Sequence, residues 1–231
     1  EATEAQKRLL ESFVGIASHD LRNPLNTIIV SVTLLERMPQ LVAELQPVAR
    51  RIRRGAERAL RLVRDLLDFT QVRLGRRLPI DPAPTDLAAV AREVVDELRA
   101  AHPARCIELQ VEADALGVWD ADRMAQVLAN LLGNALAHGD PAAPVVLHVG
   151  GDADAVELAV HNQGPPIPEA LRARLFEPLQ QGERRGRGAH GGIGLGLFIV
   201  EQIVRAHRGS VGVESTAQGT TFRVRLPRGV E

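Results

Sequence analysis

The stretch Phe13-Val14-Gly15-Ile16-Ala17-Ser18-His19-Asp20-Leu21-Arg22-Asn23-Pro24-Leu25 lies inside a longer apolar series: Leu10, Val14, Ala17, Leu21, Leu25, Ile28, Val32 and Leu35. Steps of three and four residues are the seam of a helix packed in a bundle. Two four-residue steps in succession, Ala17 to Leu21 to Leu25, form a stutter that locally unwinds a supercoil. Pro24 removes one helix hydrogen bond and crowds the carbonyl of Asp20, so the helix bends there. His19 therefore sits on the irregular part of an otherwise regular helix. Asp20 can accept a proton from its imidazole or hold the tautomer, which makes the other ring nitrogen a better nucleophile. Asn23 is one turn on, where an amide can orient a water.

Working outward, a second seam runs through Leu45, Val48, Ile52, Gly55, Ala59, Leu62, Leu66 and Phe69 after a connection containing Pro39. Two antiparallel helices then form a hairpin, and seams this wide leave one side uncovered. Pairing two copies as a four-helix bundle buries it, so a homodimer is expected. Gly75, Pro79, Pro82 and Pro84 break both periods. They divide the chain into a helical hairpin over 1–74, a linker over 75–85 and a second domain over 86–231.

That second domain reads as a helix from Thr85 or Asp86 to Ala101, a strand from Cys106 to Val111 and a helix from Ala121 to His138. Strands follow near Val145–Val149 and Ala155–His161, then a Gly/Arg-rich loop, a helix from Leu195 to His207 and closing strands near Val211–Glu214 and Thr221–Leu226. The pattern predicts an α+β sandwich with its helices on one face of a sheet.

Bulk properties narrow the function class. At 231 residues, 45% apolar and 25% charged, the chain is long enough for two units with packed cores. A net charge of −1 gives no global field for nucleic acid. The lone Cys106 rules out an internal disulfide and is read as a small buried hydrophobe. No apolar run reaches the ~20 residues that span a bilayer. The uncapped, helix-favouring start from Glu1 to Arg8 reads as a helix continuing from an upstream region.

Four clusters in the second domain carry chemistry. Asn130 and Asn134, in Asn130-Leu131-Leu132-Gly133-Asn134-Ala135, share a helix face and offer two amide oxygens to a Mg²⁺ held mainly by phosphates. Asn162 and Gly164, in Val160-His161-Asn162-Gln163-Gly164-Pro165-Pro166-Ile167-Pro168, combine a side-chain acceptor with a backbone that a flat ring can approach closely. Gly192, Gly194 and Gly196 run into an apolar helix, whose N-terminal amides and dipole favour phosphate oxygens. Arg185, in the loop Glu183-Arg184-Arg185-Gly186-Arg187-Gly188, belongs to a set of arginines able to close over a triphosphate. Taken singly, each has a plain structural alternative: a kinked helix for the His19 string, a solvated face for the Asn130 pair, a proline turn for the Asn162 string and a solvated loop for the arginines.

Five strings in chain order and over nearly the whole chain, those of His19, of Asn130, of Asn162, of the glycine run with the arginine loop upstream of it, and the closing Gly209-Ser210-Val211, Gly219-Thr220-Thr221-Phe222 and Leu226-Pro227, resemble the catalytic core of sensor histidine kinases. These join a dimerising phospho-acceptor hairpin to an ATP-binding domain of the Bergerat or GHKL type, a type that gyrase and chaperone ATPases share. The resemblance implies that His19 is phosphorylated by ATP, that Asp20 is the general base, and that Asn23 serves phosphatase activity. It places His138 at an aromatic or His position of the nucleotide site and Thr220, in Gly219-Thr220-Thr221-Phe222, near the adenine. The implied partners are the receiver domain of a response regulator, a second copy of the chain and an upstream sensor. The implied setting is the bacterial cytoplasm. Ser18-His19-Asp20-Leu21-Arg22-Asn23-Pro24 and Gly164-Pro165-Pro166-Ile167-Pro168 look most like output modules of bacteriophytochrome-type kinases. The chain departs from the family at Asn162, where Asp is usual, at Pro166, where Gly is usual, and at Ala137, where Lys is usual. A partner phosphatase or a dimeric pseudokinase scaffold are the other functions this architecture allows.

Overall fold

The computed structural model describes residues 25–35, 45–112, 114–178 and 194–229. The chain divides into two compact units, Glu1–Arg77 and Leu78–Glu231.

In the first unit, residues 25–35 are helical (α1) and are followed by the long helix α2, Gln46–Arg73. The turn expected between them lies outside the described residues. Pro47 stands in the first turn of α2, where its missing N–H is no loss. The helix stops at a left-handed glycine, Gly75 at φ 75°, whose N–H donates to Val72 O (2.9 Å), while Arg76 N donates to Gln71 O (3.0 Å). That is a Schellman stop, which supplies partners for two end carbonyls that the helix itself leaves unpaired.

The expected seam of α2 is not the face that the helix buries within one chain. Ala49 and Ala56 are buried, whereas Leu45, Val48, Ile52 and Leu66 are 45–51% exposed. On α1, Val32 is buried and Ile28 and Leu35 are exposed. The periodicity thus marks an apolar stripe that a single chain does not cover.

The second unit holds a five-stranded sheet in the order β2-β4-β5-β7-β6, made of β2 (Ile107–Val111), β4 (Val145–Gly151), β5 (Ala155–Asn162), β6 (Ser210–Thr216) and β7 (Gly219–Pro227). Only β2 and β4 pair in parallel. The helices α3 (Leu87–Ala101), α4 (Ala121–His138) and α6 (Gly196–Ala206) pack on the sheet, and a short helix, α5 (Glu169–Arg172), follows β5. Leu147, Leu158, Val160, Phe222 and Val224 from the strands meet Leu128, Leu131, Ile199 and Ile203 from the helices in one core. Burying a side chain of this kind stabilises by roughly 1.5–3 kcal/mol. Asp86 caps α3 by accepting from Ala88 N (2.8 Å), and Asp120 caps α4 by accepting from Arg123 N (3.0 Å).

A two-stranded ribbon, β1 (Ala83–Asp86) with β3 (Leu116–Trp119), was not expected from the sequence. Four-residue strands carrying Pro84 and Gly117 show no readable alternation. Tertiary packing holds them. Trp119 is fully buried and donates from Nε1 to Pro227 O (3.0 Å), and the Thr85 hydroxyl donates to Trp119 O (2.9 Å). Part of the stretch read as linker therefore belongs to this unit, with Leu78 buried and β1 beginning at Ala83. Cys106 is exposed rather than buried, because it precedes the first inward residue of β2, Ile107.

Candidate nucleotide site

The described residues predicted for the site fall into two groups in the second unit, one where two strand ends meet the end of α4, the other where α4 meets the start of α6. Asn162, the last residue of β5, is the register partner of Thr220 on β7, and both are buried, at 6% and 5% exposure. A buried amide and a buried hydroxyl need partners. Asn162 Nδ2 donates to Gln163 O (3.1 Å), which leaves Oδ1 as an acceptor. Thr220 Oγ1 lies 2.8 Å from Ser215 Oγ, which in turn accepts from Ile167 N (2.9 Å). The strand end is thus a polar cluster set in an apolar sheet.

Two glycines let the end of α4 close on this cluster. A Cβ on Gly139 would lie 2.5 Å from Ala135 O and 3.0 Å from Asn162 Cβ, and one on Gly164 would lie 3.1 Å from His138 O. Asp140 N donates to Gln163 O (2.7 Å) and ties the two loops together. Beside them opens a cleft of about 710 Å³ walled by His138, Gly139, Asp140, Gln163, Gly164 and Gln218. Asn162, Thr220, Asn130 and Asn134 are not among its walls.

The other end of the site is built by α4 against the start of α6. Asn130 Nδ2 donates to Gly196 O (3.4 Å), and a Cβ on Gly196 would come 3.5 Å from Asn130 Oδ1. Asn134 is one turn on from Asn130, and both are half-buried. Gly194 takes φ 82° just before α6. Leu195 at the N-cap position offers no side-chain acceptor, so the first-turn N–H groups of α6 have no side-chain cap. Such amides with the positive helix end suit an anion. The donor set fits a nucleotide polyphosphate with a hard cation: two amide oxygens, a helix start without a side-chain cap and, at the strand end, an acceptor and a hydroxyl for a base. Among the described residues no group of three or more His, Cys, Asp or Glu could hold a metal by itself. A cation here would thus rely on phosphate oxygens as well as Asn130 and Asn134.

His19, Asp20, Asn23, Arg185 and Gly192 lie outside the described residues. The site includes no charged carboxylate at the Asn162 position. The large shift in acidity is far from it, at the exposed turn after β4. There Arg225 bonds Asp152 (2.9 Å), and with the N–H groups of Ala155 and Asp154 it lowers the Asp152 carboxyl to about 2.

Sequence reasoning missed Ser215 and Ile167 N, which lock Thr220. Glycine at 219 signals the tight β6–β7 hairpin, and counting back across that turn pairs Ser215 with Thr220. It also missed what holds α4 in place. Arg105 Nη1 donates to Leu136 O (2.7 Å) at its C-terminal end, and His207 accepts from Asp120 N (3.1 Å) at the start.

The chain is similar to known proteins over both units. Residues 119–230 match the family described as histidine kinase-, DNA gyrase B- and HSP90-like ATPase, and residues 9–75 match the His Kinase A (phospho-acceptor) domain. A bacteriophytochrome of Pseudomonas aeruginosa is 35% identical over 95% of this chain and 30% of its own length. The probable sensor histidine kinase TcrY of Mycobacterium tuberculosis is 35% identical over 98% of this chain and 47% of its own length. Full-length ShkA in complex with AMPPNP superposes with a TM-score of 0.68 at 30% identity, covering 94% of this chain and 45% of that one. The chain therefore spans between about a third and a half of the length of these proteins.

Proposed function

The chain belongs to the sensor histidine kinase family, and on that premise we propose that it binds ATP with Mg²⁺ in its second unit, phosphorylates His19 and passes the phosphoryl group to an aspartate of a response-regulator receiver domain. The observation that carries this reading is the two-ended site. Asn162, Thr220 and Gly164 offer an acceptor, a hydroxyl and close backbone approach for adenine. Asn130, Asn134 and the uncapped start of α6 face the phosphates. Asn130 and Asn134 would hold Mg²⁺ together with the phosphate oxygens, and the ion would supply charge neutralisation to the triphosphate. Asp20 takes the proton from one imidazole nitrogen of His19 while the other attacks the γ-phosphorus in line, and the bond from phosphorus to the β,γ-bridging oxygen breaks to release ADP. Asn23 positions water for the reverse, partner-dephosphorylating activity. Arg185, Gly192, Gly194 and Gly196 close the phosphate end.

The uncovered stripe of Leu45, Val48, Ile52 and Leu66 supports a homodimer through a four-helix bundle. Among the described residues no helix is long and apolar enough to cross a membrane. This reading sets the chain in the bacterial cytoplasm.

The neutral Asn162 and the alanine at 137 favour a second reading, a module whose main output is dephosphorylation of its partner. Incubation with γ-labelled ATP and Mg²⁺ separates them. An acid-labile, alkali-stable label that disappears in His19→Gln is the result expected of a kinase. Nucleotide binding without label, together with Asn23-dependent loss of phosphate from a receiver domain, would move the assignment to the phosphatase.

A further inference from the structure

His207 is buried to 1% exposure at the C-terminal end of α6, the interior's one fully buried polar side chain of large volume among the described residues. Both ring nitrogens are used. Nδ1 lies 2.8 Å from Ile203 O, an atom that only accepts, so Nδ1 carries the proton. Nε2 lies 3.1 Å from Asp120 N, which only donates, so Nε2 is bare. The surroundings thus select one neutral tautomer. The backbone around the ring is held too. Arg208 N donates to Arg205 O (3.0 Å) and Gly209 N to Val204 O (2.9 Å), a Schellman stop with Arg208 left-handed at φ 58°. Glycine is needed at the next position because a Cβ on Gly209 would meet Arg225 O at 2.5 Å.

The tie has a distant counterpart. Asp120 is the cap residue of α4, the helix that carries Asn130 and Asn134, and its side chain also accepts from Arg123 N and Asp81 N. Ten residues along α4, Asn130 donates to Gly196 O at the other end of α6. Gly196 is eleven residues back from His207. At about 1.5 Å of rise per residue the two ties are roughly 15 Å apart on each helix, so the helices run antiparallel, with α6 pinned at both its ends to the start and the middle of α4. A slip of one residue moves Gly196 about 1.5 Å along Asn130, half the reach of a hydrogen bond.

We propose that His207 is a positioning residue of the nucleotide site, its Nδ1-protonated imidazole setting the register at which the α6 N-terminus meets Asn130. The proposal rests on the reading of that site as the phosphate end of an ATP site. It acts by preorganisation: amides already placed need not be ordered when the ligand arrives.

The test uses the full chain and three variants. His207→Leu removes both bonds, His207→Gln restores an acceptor toward Asp120 N, and Val200→Ala trims the buried face of α6 without touching either tie. In the wild type, ¹⁵N shifts of the His207 ring should report a proton on Nδ1. His207→Leu should shift the Gly196 amide and Asn130 side-chain resonances and weaken ATP binding by about tenfold, the equivalent of one hydrogen bond. His207→Gln should recover much of that loss, and Val200→Ala should bind within about twofold of wild type. A proton on Nε2, or unmoved Gly196 and Asn130 resonances in a folded His207→Leu, overturns the proposal. So does a loss of affinity in Val200→Ala equal to that in His207→Leu. If the wild type binds no ATP, the functional reading fails, while the tautomer and the resonance shifts still decide the register.

Discussion

Replacing Thr220 by Val keeps the shape of the side chain and removes its hydroxyl, and the buried cluster around it predicts effects of two different sizes. In the free protein the loss is the 2.8 Å bond to Ser215 Oγ. One such bond contributes about 0.5–1.5 kcal/mol, and for a unit of this size that lowers the melting temperature by roughly 1–6 °C. With nucleotide present, a second bond of similar size is lost, so ATP binding should weaken roughly two- to twelvefold. Ser215→Ala makes the contrasting perturbation. It leaves Thr220 its hydroxyl but strands Ile167 N, whose 2.9 Å bond goes to Ser215 Oγ. Ser215→Ala thus removes two bonds where Thr220→Val removes one, about 1–3 kcal/mol in all, so it should be the less stable variant and the better ATP binder. Thermal melts and calorimetric titration with a non-hydrolysable ATP analogue read both rankings. If Thr220→Val binds as wild type, or if Ser215→Ala binds more weakly than Thr220→Val, the Thr220 hydroxyl does not face the ligand and the reasoning is wrong.

Gly139→Ala should lower stability by about 1–3 kcal/mol and weaken ATP binding with it, because the new methyl meets Ala135 O at 2.5 Å and presses on Asn162; a variant that is destabilised but binds normally would separate Gly139 from the site. Gly117→Ala should overlap the ring of Trp119, costing about 1–3 kcal/mol and shifting the emission of the chain's single tryptophan, with unchanged emission as the contrary result. Arg208→Gly should stabilise by about 0.5–1 kcal/mol, measured by urea unfolding, since a left-handed residue ends α6 there and glycine adopts that conformation without a Cβ clash. The Asp152 carboxyl is lowered from 3.8 to about 2, so its contribution is complete above pH 4 and is lost as pH falls toward 2; Asp152→Asn should flatten the dependence of melting temperature on pH in that window, and an unaltered profile would remove the ion pair from the account.

Much of the second unit was legible because its periods are long and its punctuation is chemical. Asp120 before an eighteen-residue apolar pattern marks the start of α4, and the strands of the five-stranded sheet show between turn signals as mostly apolar runs in β4 and β5 and as apolar–polar alternation in β2, β6 and β7. The ribbon of β1 and β3 was not legible, because four residues with a proline or glycine carry no period, and only the burial of Trp119 makes them strands. In the first unit the periodicity of α2 located an apolar stripe, but the residues buried within one chain are Ala49 and Ala56, one position away from the seam. A period says that a face is apolar; it does not say what covers it.

The residue types at the proposed nucleotide site, Asn130, Asn134, Asn162, Gly164 and Thr220, were determined by the sequence alone, since the chemistry of amides, hydroxyls and glycines at those spacings is local. What only the tertiary structure decided is their support. Ser215 reaches Thr220 through hairpin register, Gly139 clears a path for α4 beside Asn162, and His207 meets Asp120 N from 87 residues away. Hydrogen bonds between elements depend on how helices and strands stack, and that stacking is set by the packing of the whole core rather than by any short stretch of chain.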